Sequence, residues 1–394
     1  MTTLVGLTGA FVSPFLPVFL SQTLHASPLQ SALFLFLTPV AAVAVSTVVG
    51  RVSDRPGARE WVIFTAATCG ILGFALYAVM RQYDVVLAVS LTLVAVASAI
   101  VPQIYALGRE VVQRQDPSRV TMGMNTLRMM MSLAWAAGAP LGAFVIGLID
   151  FNGLFIATSM LHLAALAVVI ALRGRSAQVV APTASIVVTD SAPAPAGWLT
   201  RGRVVAITVA FVALQGATSL TVTTMPLFVS VTLHGTLTSA GVVLGLCATI
   251  EIPLMLIVGA MAERWPLRRL MLAGGGFGMA YCLAVSLAGS VWQIAVAQVL
   301  HACYVCAIGG LGISYFQGLM PFALGRATTL FSNAGRLSGM LAGLAFGVVQ
   351  VLGYRYAYVF SLGFCGAGTA VLALASRQRQ TAPAARALVE AAAA

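Results

Sequence analysis

The chain has 394 residues, of which 60% are hydrophobic and only 8% are charged, and its mean hydropathy is +0.99. This number of polar residues is too small to cover the surface of a water-soluble domain. The composition therefore excludes a soluble globular protein and predicts residence in a lipid bilayer. The net charge of +11 is compatible with nucleic-acid binding, but the arginines follow a membrane-topology pattern and no nucleic-acid partner is expected.

Twelve apolar stretches follow one another along the chain, each long enough to cross ~30 Å of hydrocarbon as a helix. Numbered as segments 1 to 12, they comprise residues 2–24, 28–50, 61–80, 84–108, 120–148, 151–172, 204–232, 237–260, 270–288, 291–316, 326–350 and 355–376. The sequence therefore predicts an all-α membrane protein with twelve transmembrane helices.

Residues 173–203 interrupt this pattern with Ala, Pro, Ser and Thr, and they contain too few large apolar side chains to form a core of their own. We interpret them as a cytoplasmic linker. The predicted organisation is an N-terminal six-helix bundle at 1–172, the linker, a C-terminal six-helix bundle at 204–376 and a cytoplasmic tail at 377–394.

The basic residues, all 21 of them arginine, are distributed unevenly between the connections. Only Arg81 and Arg355 fall in odd-numbered connections, whereas the even-numbered connections and the tail contain most of the others. Because arginine-rich connections stay in the cytoplasm, both termini are predicted to be cytoplasmic.

The two halves repeat each other at a nearly fixed offset. Pro17 to His25 reads PVFLSQTLH, and Pro226 to His234, 209 residues later, reads PLFVSVTLH. Two further pairs of motifs agree with this offset within one residue: Gly50-x-x-x-Asp54-Arg55 with Gly259-x-x-x-Glu263-Arg264, and Asn125-x-x-Arg128 with Asn333-x-x-Arg336. Such a duplication predicts two parallel six-helix repeats, an architecture of secondary transporters.

Several motifs carry a family resemblance. GRVSDRPGAR, residues 50–59, resembles the loop signature of the major facilitator superfamily. VPQIYALGRE, RMMMSLAWAAGAPLGAF, EIPLM and FQGLMPFALGRATTLFSN, which begin at residues 101, 128, 251 and 316, are similar to bacterial sugar efflux transporters of the Set family. Two features depart from that pattern: a shorter amino terminus, and an arginine at position 336, which is expected to affect substrate choice.

The resemblance covers nearly the whole chain. It implies the major facilitator fold and a bacterial inner-membrane exporter of sugars or glycosides, such as lactose, glucose and thiogalactosides. Transport by alternating access with proton antiport is expected, so sugar, protons and lipid are the expected partners. An alternative within transport is proton-coupled efflux of drugs or other amphipathic solutes.

Three charged side chains, Arg128, Glu251 and Arg336, fall inside predicted membrane segments. Each costs about 2.5–3.5 kcal/mol at mid-bilayer unless it is paired or faces water. In the implied fold, segment 5 packs beside segment 8, so Arg128 and Glu251 are predicted to pair. The pair is either structural or functional. In the functional interpretation, Glu251 binds a proton or a sugar hydroxyl and the arginine orients it.

Segment 5 places Asn125, Arg128, Ser132 and Trp135 on one helical face, which is predicted to face a cavity. Such residues suit a sugar, because hydroxyl groups need directional partners and the C–H faces of a ring stack on aromatic groups. For Trp135, packing or interface anchoring is the alternative.

The resemblance also implies that segments 1, 4, 7 and 10 line the cavity. The candidate substrate ligands there are Gln103, Tyr105, Gln215, His301 and Tyr304, joined in segment 11 by Asn333 and Arg336. His301 is the second candidate for proton coupling after Glu251, because histidine titrates near neutrality. A hydrogen-bonded packing role is its alternative.

Asp54, Arg55 and Arg59 in the first half, with Glu263 and Arg264 in the second, are predicted to act as a gate at the cytoplasmic face. An acidic side chain there can accept hydrogen bonds from the amino terminus of a neighbouring helix and hold the cytoplasmic side closed. The alternative is a solvated turn.

Enzymatic chemistry and metal binding are not predicted. The six cysteines lie in apolar segments, and Cys303-x-x-Cys306 has no partner thiols or histidines at ligand spacing, so no disulfide, metal or cofactor is expected. An intramembrane enzyme needs paired acids or a nucleophile with a base, and a membrane sensor needs a signalling domain; the sequence has neither. A monomer is expected.

Overall fold

The computed structural model describes residues 1–53, 58–115, 120–176, 201–320 and 323–377. Within these ranges the chain is almost entirely helical and has no β-strand. The centre of the predicted linker, and all but the first residue of the predicted tail, lie outside the described residues.

In the first half, the helices correspond to the predicted segments. Helix α1 comprises Thr2–Val12, Leu16–Val18 and a π-helical turn at Phe19–Thr23. Helix α2 is Pro28–Ser53 and α3 is Ala58–Val79. Helix α4 comprises Tyr83–Val89, a π-helical turn at Ser90–Val94, Ala95–Ala97 and Ile100–Gln115.

A continuous helical stretch, Val120–Ser176, covers predicted segments 5 and 6 and is interrupted at Asp150, whose φ is 62° and ψ is −167°. A Cβ placed on Gly142 would lie 3.4 Å from Cδ1 of Leu154. Twelve residues span about 18 Å in a straight helix, so this proximity requires the chain to reverse at Asp150. We therefore name residues 120–149 as α5 and 151–176 as α6.

The second half follows the same order. Helix α7 is Arg201–Leu227 with a π-helical turn at Phe228–Thr232, α8 is Leu237–Arg264 and α9 is Leu267–Leu287. Helix α10 comprises Val291–Val305, a π-helical turn at Cys306–Gly310 and Gly312–Leu319. Helix α11 is Leu324–Leu352 and α12 is Tyr356–Arg377.

Eleven helical stretches in the described residues are long and apolar enough to cross a membrane. One of them, Met129–Ala171, contains the reversal at Asp150. Counting its two arms separately gives twelve helical segments, while twelve membrane crossings remain a prediction.

The repeated proline-to-histidine motif has the same local structure in both copies. The π-helical turns at Phe19–Thr23 and Phe228–Thr232 are 209 residues apart, and each is followed by a histidine with positive φ, 50° at His25 and 55° at His234. The N–H groups of Ala26 and Gly235 donate to carbonyl groups six residues earlier, at 2.9 and 2.8 Å. Both histidines thus end their helices through a left-handed backbone conformation.

The halves meet along two seams, α5 against α8 and α2 against α11. A Cβ placed on Gly241 would lie 2.7 Å from the carbonyl oxygen of Ala139, and one placed on Gly347 would lie 2.5 Å from Cβ of Ala32. Small residues let the helix backbones approach this closely.

These contacts lie toward the end of the molecule that carries His25 and His234, which we call the histidine end. The opposite end, which carries Arg264, Arg268 and Arg326, is the arginine end. There Gly259 of α8 has no neighbouring side chain within 4 Å, and Met261 is 36% exposed. The described contacts between the halves therefore concentrate at the histidine end.

Arg81 and Arg355 are the two arginines in odd-numbered connections, and they cap helices at the histidine end. Arg81 donates to the carbonyl of Tyr77 at 2.9 Å and lies over the ring of Phe19. Arg355 donates to the carbonyl of Ser286 at 2.6 Å and lies over the ring of Phe228. Each cation satisfies carbonyl groups at the carboxyl end of a helix, where positive charge is favoured.

Candidate functional site

A central cavity of about 750 Å³ lies between the two halves. Helices α1, α2, α4 and α5 line it from one half, and α7, α8, α10 and α11 from the other. Its polar lining comprises Ser13, Thr38, Tyr105, Ser132, Trp135, Gln215, Thr218, Ser219, Thr223, Cys247, Glu251, His301 and Cys306. The remaining lining is aliphatic, aromatic or glycine.

The structure brings five of the predicted site residues together around this cavity: Tyr105, Trp135, Gln215, Glu251 and His301. They come from α4, α5, α7, α8 and α10, so both halves contribute. Ser132, one turn before Trp135, also lines the cavity. The part of the α5 face that the structure describes is thus directed into the cavity.

Tyr304 does not line the cavity. It is 1% exposed, its hydroxyl donates to the carbonyl of Leu214, and the thiol of Cys365 donates to that hydroxyl at 3.5 Å. The step of three residues from His301 to Tyr304 leaves the two side chains roughly 60° apart around the helix, which turns Tyr304 into the packing between α10 and α7.

Three other predicted ligands lie away from the cavity lining. Gln103 is 7% exposed and is not among the lining residues, and Asn333 is exposed and Arg336 half-buried on α11. Asn125 and Arg128 belong to α5, but their side chains lie outside the described part of the structure. The predicted pair of Arg128 with Glu251 therefore remains a prediction, although α5 and α8 do pack against each other as it requires.

Glu251 is half-buried on α8. The thiol of Cys247, one turn earlier, donates to Oε1 of Glu251 at 3.5 Å, and the thiol of Cys306 on α10 donates to its backbone carbonyl at 3.6 Å. In the described part of the chain, Glu251 is the one acidic side chain on the cavity wall and has no ion pair.

His301 is 3% exposed and belongs to a polar cluster in the second half. Its ring stacks on Tyr281, with centroids 4.3 Å apart and planes inclined by 11°. Its Nδ1 lies 3.1 Å from Oε1 of Gln298 and 3.3 Å from the sulfur of Cys247. Cys247 thus connects His301 to Glu251.

The predicted gate is described in one repeat only. Asp54 and Arg55 lie outside the described residues, as does the side chain of Arg59. Glu263 and Arg264 are exposed at the arginine end, and neither side chain has a hydrogen bond or ion pair with any described residue. The gate therefore remains a prediction.

Sequence reasoning missed the hydroxyl groups of α7. Thr218, Ser219 and Thr223 follow Gln215 at spacings of three, four and eight residues, so all four lie on one helical face. The helical spacing of these polar residues was visible in the sequence, but serine and threonine at such spacing are also common in helices that bind no ligand.

Residues 1–343 match the sequence model of the Major Facilitator Superfamily. The chain belongs to this superfamily. It is a multi-pass membrane transporter and not an enzyme, and its all-helical fold agrees with the architecture predicted from the internal repeat.

Relatives in this superfamily cover nearly the whole chain. A protein of Deinococcus radiodurans is 31% identical over 390 residues, covering 95% of this chain and 96% of its own. Sugar efflux transporter B of Salmonella typhimurium is 31% identical, covering 91% of this chain and 90% of its own. Sugar efflux transporter C of Escherichia coli is 31% identical, covering 92% and 91%.

Among solved structures, the nucleoside transporter NupG is similar, with a TM-score of 0.74 at 14% sequence identity. The similarity covers 96% of this chain and 98% of NupG. At this identity the likeness shows a shared fold alone.

Proposed function

We propose that this transporter exports sugars or glycosides across the bacterial inner membrane by alternating access, driven by proton antiport. Its relatives in Salmonella typhimurium and Escherichia coli are named as sugar efflux transporters. The observation that carries the proposal is the cavity between the halves, in which an aromatic ring, Trp135, faces hydrogen-bonding groups of both halves.

The cavity suits a sugar in size and chemistry. Small-molecule sites have volumes of about 300–1,000 Å³, and this cavity has about 750 Å³. Trp135 and Tyr105 supply rings for the C–H faces of a sugar, while Gln215, Glu251 and the α7 hydroxyl groups supply directional partners for its hydroxyls. Asn125 and Arg128, on the same predicted face of α5, remain predicted members of this set.

Orientation follows from the arginines. We assign the arginine end to the cytoplasm, because arginine-rich connections are retained there. Because the described seams are closed at the histidine end, we propose that this state loads substrate from the cytoplasm. Export then requires the seams to separate and the arginine end to close, with Asp54, Arg55, Arg59, Glu263 and Arg264 as the gate.

Glu251 is the proposed coupling residue, with His301 beside it. A carboxyl group on the cavity wall is reached from either side in turn as the halves rock, so it can take up a proton outside and release it inside. A membrane potential contributes about 2.3 kcal/mol per proton per 100 mV. The roles of Asn333 and Arg336 remain predictions for another state of the cycle.

Counterflow in reconstituted vesicles tests the proposal. Vesicles loaded with unlabelled lactose, glucose or a thiogalactoside are expected to accumulate the labelled compound transiently, and a proton gradient is expected to change net flux. If cationic drugs compete and none of the sugars is transported, the protein is instead a drug exporter.

A further inference from the structure

The hydrogen-bond partners of His301 determine which of its ring nitrogens carries the proton. The side-chain amide of Gln298 directs Nε2 to the Tyr281 hydroxyl at 3.5 Å and Oε1 to Nδ1 of His301 at 3.1 Å. An amide oxygen only accepts hydrogen bonds, so Nδ1 must be the donor in this contact.

Cys247 leads to the same assignment independently. Its thiol hydrogen is directed to Oε1 of Glu251 at 3.5 Å, which leaves the sulfur to act as an acceptor toward His301. Nδ1 lies 3.3 Å from that sulfur. Both neighbours of Nδ1 are therefore acceptors, and in neutral imidazole a proton on Nδ1 leaves Nε2 with a free lone pair.

The surroundings of the ring fix the orientation of the imidazole and therefore the direction of this lone pair. Because the imidazole is stacked on Tyr281 with planes inclined by 11°, exchanging the two nitrogens requires the ring to leave its stack. Nε2 is buried and has no hydrogen-bond partner among the described residues, while the His301 side chain forms part of the cavity wall. A buried acceptor without a partner is unfavourable until a donor arrives.

We propose that His301 is a fixed hydrogen-bond acceptor for a substrate hydroxyl, with Gln298 and Cys247 as the positioning residues that hold its Nδ1–H tautomer. Gln215 also lines the cavity, and its buried Nε2, a donor, has no partner among the described residues. The two groups together recognise a polyhydroxylated ligand through one hydroxyl that donates and another that accepts. The ligand class rests on the proposed function, whereas the tautomer does not.

Nitrogen NMR tests the tautomer directly. The chain has four histidines, so ¹⁵N-histidine-labelled full-length protein in lipid nanodiscs gives few resonances, and His301→Asn identifies those of His301. We expect a protonated Nδ1 and an unprotonated Nε2. Gln298→Leu is expected to abolish this preference, while Gln293→Leu, the same change near the start of α10, leaves it intact. A proton on Nε2 in the unsubstituted protein would overturn the proposal.

Substrate analogues test the acceptor role. Monodeoxy and deoxyfluoro derivatives of glucose are compared as competitors of labelled glucose in counterflow, because fluorine replaces a hydroxyl without donating a hydrogen bond. At one ring position both derivatives are expected to compete at least tenfold more weakly than glucose, and His301→Asn should remove that difference at that position alone. If deoxyfluoro derivatives match glucose at every position, the acceptor role is wrong. Absence of any sugar transport would refute the proposed function and leave the tautomer to the NMR result.

Discussion

Gly241 of α8 packs against Ala139 of α5 so closely that a Cβ on the glycine would lie 2.7 Å from the alanine carbonyl oxygen. The same repeat positions meet at the other seam, since Ala32 corresponds to Gly241 at offset 209 and Gly347 corresponds to Ala139 at offset 208. Each seam therefore has one glycine and one alanine, contributed by opposite halves. Two seams that open and close in the same way require such equivalent contacts.

Gly241→Val is predicted to prevent closure of the histidine end, because the added isopropyl side chain cannot fit against the Ala139 backbone without separating the helices. Counterflow of a transported sugar should fall at least tenfold. Gly363→Val is the matched control, since a Cβ there meets no atom within 4 Å. Equal counterflow by the two variants would show that the seam does not need close packing.

Trp135→Ala is predicted to weaken sugar binding. Aromatic contacts contribute about 0.5–1.5 kcal/mol beyond the area they bury, which corresponds to a two- to tenfold increase in KM. Expression and counterflow at saturating sugar should be preserved. Trp292→Ala, at a tryptophan that is 67% exposed at the start of α10, is the control. An unchanged KM in Trp135→Ala would remove this residue from the site.

Glu251→Gln is predicted to separate sugar movement from proton movement. The amide keeps the shape of the side chain but cannot bind and release a proton, so counterflow should persist while a pH gradient no longer drives net flux. Asp84→Asn, an exposed acid in the first turn of α4, is the control and should remain coupled. Undiminished gradient-driven flux in Glu251→Gln would exclude Glu251 as the proton carrier.

Arg355→Met is predicted to destabilise the second half. The substitution removes the hydrogen bond to the Ser286 carbonyl and the cation over Phe228, which together contribute about 1–2 kcal/mol. The protein in detergent should melt several degrees lower. Arg269→Met, at an exposed arginine without a described partner, provides the comparison. Equal melting of the two variants would show that the contact adds nothing to stability.

The sequence was sufficient to predict the fold, because hydropathy, arginine distribution and the internal repeat each constrain a membrane chain strongly. The matching π-helical turns before His25 and His234 follow from the repeated motif. The site was harder to predict, since His301 and Tyr304 share a face by spacing yet only His301 reaches the cavity. The two side chains are roughly 60° apart around α10. Whether a side chain at such an angle faces the cavity or the helix packing depends on the neighbouring helices, which spacing alone does not specify.

The central claim is that protons moving inward drive sugar outward, and inside-out membrane vesicles test it most directly. In these vesicles the arginine end is expected to face the medium. Acidifying the lumen should drive labelled lactose or glucose inward to a concentration above that of the medium, and an uncoupler should release it. Accumulation that never exceeds equilibrium, or that is indifferent to the uncoupler, would contradict the account.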